Sequence, residues 1–359
     1  MNLRAAFCFL LVGSFALIVS ACDDTPVEPD TPASVESTAD ARGTASSYQD
    51  NLERRIRAIN DFLAREGSLY RVSELSAYTV GVGRPPVRIL QRGTRWVPND
   101  PRRTWNTATN PEDVTYVFDE SDNTVDPLTV SESSVAIDAA FQSWSDVPHS
   151  YLDFESFPDG GGDYDLLDNV PDNPFVDCAN SLFPAVIDGG FEGRFVDVIV
   201  GGWLDRKYFD CLNPDPSQPG GELIIGVTWT LTFVDGMGNP VDADGDGYFD
   251  TAFKEVYFND FWQWVDDGAV FLFANPVDLE TIAVHEFGHV AELGHMGDII
   301  AGILNTRSLR AFQGFLERGQ IFSPEAIMNP GYLGGEFREL QPIDEAGYST
   351  LFSNGSIGQ

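Results

Sequence analysis

Four histidines occur in the 359-residue chain, and three of them fall within residues 285–295, His-Glu-Phe-Gly-His-Val-Ala-Glu-Leu-Gly-His. Random placement of so scarce a residue would seldom do that. His285 and His289 stand four apart, so a helix carrying them sets both rings on one face, where they can grip a single ion. Leu279 to Leu293 reads as that helix, started by Asp278 behind Pro276. Glu286 then lies beside the ion, where it can take a proton from bound water. His295 stands six residues past His289, so the helix must end and the chain must turn for it to reach the same ion. Three imidazoles suit zinc, which lowers the pKa of a bound water toward about 7. The segment therefore demands a helix for His285 and His289 and a turn at its end that brings His295 to the same ion.

The remaining elements are read around that helix. VTYVFD (114–119) is a strand of β-branched and aromatic residues. Ser131 to Trp144 is helical, with Val135, Ile137, Ala140, Phe141 and Trp144 apolar and Ser131 as N-cap. Residues 150–225 are rich in loops around a strand at 195–200, and GVTWTLTFV (226–234) and FKEVYFN (253–259) are further strands. A second helix covers Arg307 to Arg318, and the last covers Asp344 to Phe352. Upstream, residues 48–66 place Leu52, Ile56, Ile59 and Leu63 on one helical face. Residues 69–97 read as short strands and turns, punctuated by Gly81, Gly83, Pro85 and Pro86. The order implies an α+β fold with a mixed sheet. Residues 48–99 are expected to be a pro-segment or an accessory region ahead of a main domain at 100–359.

With its third histidine, the 285–295 segment resembles the metzincin signature H-E-x-x-H-x-x-G-x-x-H, and HEFGH is especially like the matrixins. Ala326-Ile327-Met328-Asn329-Pro330-Gly331-Tyr332 is similar to the matrixin Met-turn segment A-L-M-Y-P-x-Y. Leu340, Asp344, Gly347, Leu351 and Phe352 resemble the pattern of the terminal matrixin helix, and VTYVFD with AIDAAFQSWSDV resembles the first strand and helix. The resemblance spans roughly residues 100–355 and is thin in the middle. It implies a metzincin-like catalytic domain: a mixed, mostly parallel twisted sheet, an active-site helix, and a C-terminal subdomain with Met-turn and terminal helix. It further implies a zinc metalloendopeptidase acting on proteins or peptides, with zinc on His285, His289 and His295 and Glu286 as general base. By the same resemblance Met328 is a hydrophobic floor under the metal. Pro330 and Tyr332 belong to the wall of the pocket for the residue after the cleaved bond. The substrate lies extended along an edge strand within 226–234.

The chain departs from that pattern in several places. Glu292 stands where the signature has glycine, with Gly294 two residues later. The glycine normally supplies the positive φ of the turn to the third ligand; a glutamate there costs roughly 1 kcal/mol. Either the turn shifts to Gly294 or Glu292 itself is strained. With only His149 left over, no second histidine zinc site is expected. About 32 residues separate His295 from Met328, and 297–323 look like an inserted helical element. No cysteine occurs in residues 40–110, so a thiolate cap over the metal is excluded; latency through this region would need another ligand, such as a carboxylate. Two competing readings stand beside the main one. A different zinc-peptidase class would take Glu317 or Glu325 as third ligand. An inactive, surface-anchored binding module would keep the shape without the chemistry.

Composition bounds the partners. Fifty-six acids against 21 bases give a formal charge of -35, which argues against nucleic acid and against electrostatic docking on anionic lipid. Asp242, Asp244, Asp246 and Asp250, with Gly247, follow the front half of an EF-hand-type calcium loop, yet its twelfth position is Phe253; Glu255 is the candidate to close it, and a solvated Asp-Gly turn is the alternative. The N-terminus carries Arg4 and an apolar run from Ala5 to Val19, ending Val19-Ser20-Ala21-Cys22. This resembles a bacterial lipobox, with residues 1–21 as signal peptide, Cys22 as the lipidated residue and 22–47 as an acidic, Pro-rich tether. The protein is then exported, held on a cell-envelope membrane only through its lipid or secreted, and monomeric. Export permits a Cys178–Cys211 disulfide, with a reactive or metal-bound thiol as the alternative.

Overall fold

A computed structural model of the chain describes residues 56–80, 93–120, 125–161, 165, 196–212, 220–266, 276–295, 326–332 and 339–352, apart from single positions 58, 62, 66, 107, 126 and 330. Its frame is a mixed, mostly parallel sheet with few helices. Along the chain come β1 (Tyr70–Val80), β2 (Thr94–Arg95), β3 (Val114–Phe118), α1 (Val130–Ser145), β4 (Phe154–Ser156), β5 (Val198–Leu204) and α2 (Arg206–Leu212). These are followed by β6 (Ile224–Phe233), β7 (Phe249–Asn259), β8 (Trp264–Val265), β9 (Val277–Asp278), α3 (Leu279–Val290), β10 (Gly331–Tyr332) and α4 (Pro342–Leu351). The sheet runs β10-β1-β6-β7-β5-β3-β4, with β2 added alongside β7. β6 is antiparallel to both its neighbours, β1 and β7, while the other pairings are parallel.

Strands β5 and β6 are near-continuous runs of apolar, β-branched and aromatic residues, and β7 is buried along nearly all its length, because both faces of these strands are covered. One face packs on α1 and α3 through Ile137, Phe141, Trp144, Ile282, Phe287 and Val290. The other carries Trp229, Leu231, Phe253 and Tyr257 and is closed by Ile56, Ile59 and Leu63 with Phe209 of α2. The described residues between 56 and 65 are helical, so Ile56, Ile59 and Leu63 do share a buried face.

Several expectations need correction. Tyr70–Val80 is not several short strands but one eleven-residue strand inside the main sheet, while Gly81, Gly83, Pro85 and Pro86 lie outside the described residues. The described part of 48–99 is thus built into the same cores as β6 and β7. Nor is β6 an edge strand, because β1 runs along its full length from Tyr70↔Phe233 to Thr79↔Ile224. The α1 cap is Thr129, in a reciprocal capping box with Glu132, not Ser131, since Thr129 holds the extended backbone that a cap requires. The strand expected at 195–200 lies at Val198–Leu204. The 307–318 helix and the 297–323 insertion fall outside the described residues.

Candidate metal centre

Helix α3 starts where expected: the Asp278 carboxylate accepts the Thr281 amide at 2.8 Å. The helix is buried along nearly all its length, His285, Glu286 and His289 included. Its tight seat requires Gly288, where a Cβ would run into Met328 Sδ and Trp144 Cζ2. Met328 is therefore packed directly under the histidine-bearing turns, and it is fully buried.

The three rings converge through one nitrogen each. His295 Nε2 lies 3.1 Å from His285 Nε2 and 3.0 Å from His289 Nε2. The outer nitrogens are engaged elsewhere: His285 Nδ1 donates to the Ile327 carbonyl at 2.6 Å and His289 Nδ1 to the Leu293 carbonyl at 2.7 Å. Those bonds place the proton on Nδ1 and leave Nε2 as a bare lone pair, the tautomer a metal ligand needs. Burial holds His289 well below the ordinary histidine range, with His295 and His285 adding to it, and holds His295 down to about 3. Neutral imidazoles facing one point at these separations fit a single ion with bonds of ~2.0–2.1 Å.

His295 reaches this point because Glu292 takes the left-handed backbone itself, at φ 65°. Gly294 does not supply the turn. The strain is held by contacts on the glutamate side chain: Lys254 Nζ at 2.7 Å, the Thr94 hydroxyl at 2.7 Å and the Thr251 hydroxyl at 2.6 Å. Lys254 also donates to the His289 carbonyl at 2.6 Å, and Trp96 Nε1 donates to the Val290 carbonyl at 2.8 Å. A buried cation and an indole thus satisfy the carbonyls at the C-terminus of α3. Thr94, Trp96, Thr251 and Lys254 together fasten the turn that presents the third histidine.

From below, α4 sets the other side. Asp344 accepts the Ile327 and Met328 amides at 3.0 and 3.3 Å, and the Ile327 carbonyl in turn orients His285. Burial raises the Asp344 carboxyl above its usual range, against backbone hydrogen bonds from Gln341, Ile327 and Met328.

Glu286 is fully buried beside the rings. Its Oε2 accepts the Thr228 hydroxyl at 2.6 Å, while Oε1 has no hydrogen-bond partner of full geometry among the described residues. A Cβ at Gly226 would lie 2.9 Å from Oε1, so glycine is required there. Burial pushes the carboxyl up to about 8, and the Thr228 hydroxyl and Tyr78 amide counter this only in part. A carboxyl poised near neutrality next to an orphaned oxygen is suited to moving a proton. Above it, the Tyr78 ring lies flat on His285, centroids 3.7 Å apart and planes 4° off parallel.

The acidic loop is assembled in part. Carboxylate oxygens of Asp242, Asp244 and Asp250 gather within 4.8 Å of one another, but Asp246 turns away to Arg95 at 3.0 Å. Asp250 meets Arg102 at 2.6 Å. Glu255 is buried within β7 and does not join this group. Pro330, Cys22, Cys178, Glu317 and Glu325 fall outside the described residues, as do the side chains of Tyr332 and Cys211. His149 sits exposed in a loop.

Sequence reasoning missed Lys254, Thr94, Thr251, Thr228 and Tyr78. Lys254 left one signal, a lone cation in the apolar strand FKEVYFN. The others left none, because their partners are distant in the chain.

Fold and site together define an α+β protein whose buried His285 and His289 and half-buried His295 can bind a metal ion. No protein-family model matches the chain, and no curated protein matches it. Among the described residues no helix is long and apolar enough to cross a membrane.

Proposed function

We propose that the chain is a metzincin-type, matrixin-like zinc metalloendopeptidase that is exported and lipid-anchored through Cys22. The observation that carries this reading is the convergence of three Nε2 atoms beside the buried carboxyl of Glu286. The donor set suits zinc: three imidazoles, two with an outer nitrogen bound to a carbonyl, and among the described residues no carboxylate in the group. When bound, zinc supplies a Lewis acid and lowers the pKa of water toward about 7.

The chain's own residues do the rest. Glu286 accepts the proton of the attacking water and delivers it to the leaving amine. Thr228 holds one carboxylate oxygen still, so Oε1 is the one that moves the proton. Met328 and Trp144 fill the space beneath Gly288 and keep water out from below. The Ile327 and Leu293 carbonyls fix the two helix-borne rings.

The test is turnover of a casein-type substrate by zinc-loaded protein. Glu286→Gln is expected to lower it by about 10²–10⁴-fold while zinc stays bound. Full activity in that variant would sink the mechanism.

A further inference from the structure

On the function proposed above an extended peptide lies along β6 to reach His285 and Glu286, and β1 occupies that line. Tyr78 pairs with Gly226 and Ser76 with Thr228, and Gly226 and Thr228 are the residues that make room for and bind Glu286. On its other side β1 runs parallel to β10, Thr79 opposite Gly331 and Val80 opposite Tyr332. The strand therefore sits in a slot between an antiparallel and a parallel neighbour, with one aromatic ring seated on a metal-site histidine. Tyr78, His285 and Glu286 are each fully buried as a result. β1 caps the site without a carboxylate ligand: its one acid, Glu74, accepts the Gly93 amide at 2.6 Å.

We propose that β1 is a resident pseudosubstrate: the slot between β6 and β10 is a peptide-strand site whose ligand is an extended segment with an aromatic side chain stacked on His285, and Tyr70–Val80 fills it in the intact chain. This rests on the function proposed above and deepens it, because a foreign peptide must first displace β1. Tethering makes the competition steep, since a strand on the same chain acts at millimolar effective concentration. β-Augmentation supplies affinity through the main chain, while the ring selects the position. The Tyr78 amide faces the Glu286 carboxylate, so the Ala77–Tyr78 bond is the one laid beside the proton-moving group.

The experiment uses zinc-loaded full-length protein and a labelled peptide of the β1 sequence, YRVSELSAYTV. Fluorescence anisotropy on intact protein sets the reference affinity, expected to be weaker than tens of micromolar. Tyr78→Gly, which removes the stacked ring and loosens the strand, should bind at least about threefold more tightly, and Tyr78→Phe should behave as the intact chain. Equal binding by Tyr78→Gly and the intact protein, or none by either, overturns the proposal. Casein turnover is read in parallel. If Tyr78→Gly takes up peptide but no form cuts casein, the strand site stands and the peptidase reading falls. Should Tyr78→Gly fail to fold, hydrogen exchange on the unaltered zinc protein decides. A peptide hydroxamate that binds the metal should strip protection from the Tyr70–Val80 amides; retained protection with hydroxamate bound overturns the proposal.

Discussion

Glu292 shows how a single side chain can stand in for a glycine. Its φ of 65° is a conformation that costs an L-residue roughly 1 kcal/mol, and the Lys254 ion pair with two threonine hydroxyls more than offsets it. Glu292→Ala leaves Lys254 buried without its partner and should destabilise the fold by about 3–5 kcal/mol. Glu292→Gly with Lys254→Met removes strain and charge together and should recover most of that loss, measured by thermal unfolding. If both variants unfold alike, the ion pair does not hold the turn. The histidines and Glu286 were legible in the sequence because spacing on one helix is a local property. Glu292 was legible only as an anomaly, since Thr94, Thr251 and Lys254 are far from it in the chain.

Among the elements, α3 is held from three sides: β2 and β7 at its C-terminus, α1 and Met328 against Gly288, and α4 through Asp344. Gly288→Ala drives a methyl group into Met328 and Trp144 and should cost about 1–3 kcal/mol, read as a lower melting temperature. Asp344 gives the pH dependence. Its folded pKa is raised above the ordinary 3.8, so its contribution to stability is complete below that value. The contribution is then lost as pH rises through the folded pKa. Metal-free protein should therefore lose stability upward from about pH 4 relative to Asp344→Asn, which has no carboxyl to ionise there; parallel melting curves from about pH 3.5 to 7 would refute it. Helices α1, α3 and α4 and strands β3, β6 and β7 were readable from periodicity and β-branched runs. The role of β1 was not, because strand pairing between residues 70–80 and 224–233 depends on contacts more than 140 positions apart. A strand that looks like an edge in sequence becomes internal once a distant segment pairs with it.

For the molecule as a whole, the helix-bearing face of the sheet holds the histidines, and the same sheet supplies the strand that covers them. On the proposed function, the strand that covers the histidines and the strand that binds Glu286 share one set of hydrogen bonds along β6. A strongly acidic surface suits an exported domain on a lipid tether, a placement checked by labelling Cys22 with a palmitate analogue in an expressing bacterium; Cys22→Ala should abolish incorporation and release the protein from the membrane fraction.

All of this depends on the histidine triad holding zinc. Metal analysis after equilibration with micromolar zinc and gel filtration tests it most directly, on the unaltered chain and on His295→Ala. The expected result is a single ion retained per unaltered chain and little or none in His295→Ala. An unaltered chain that retains no zinc, or a His295→Ala variant that retains it fully, would contradict a centre built on His285, His289 and His295.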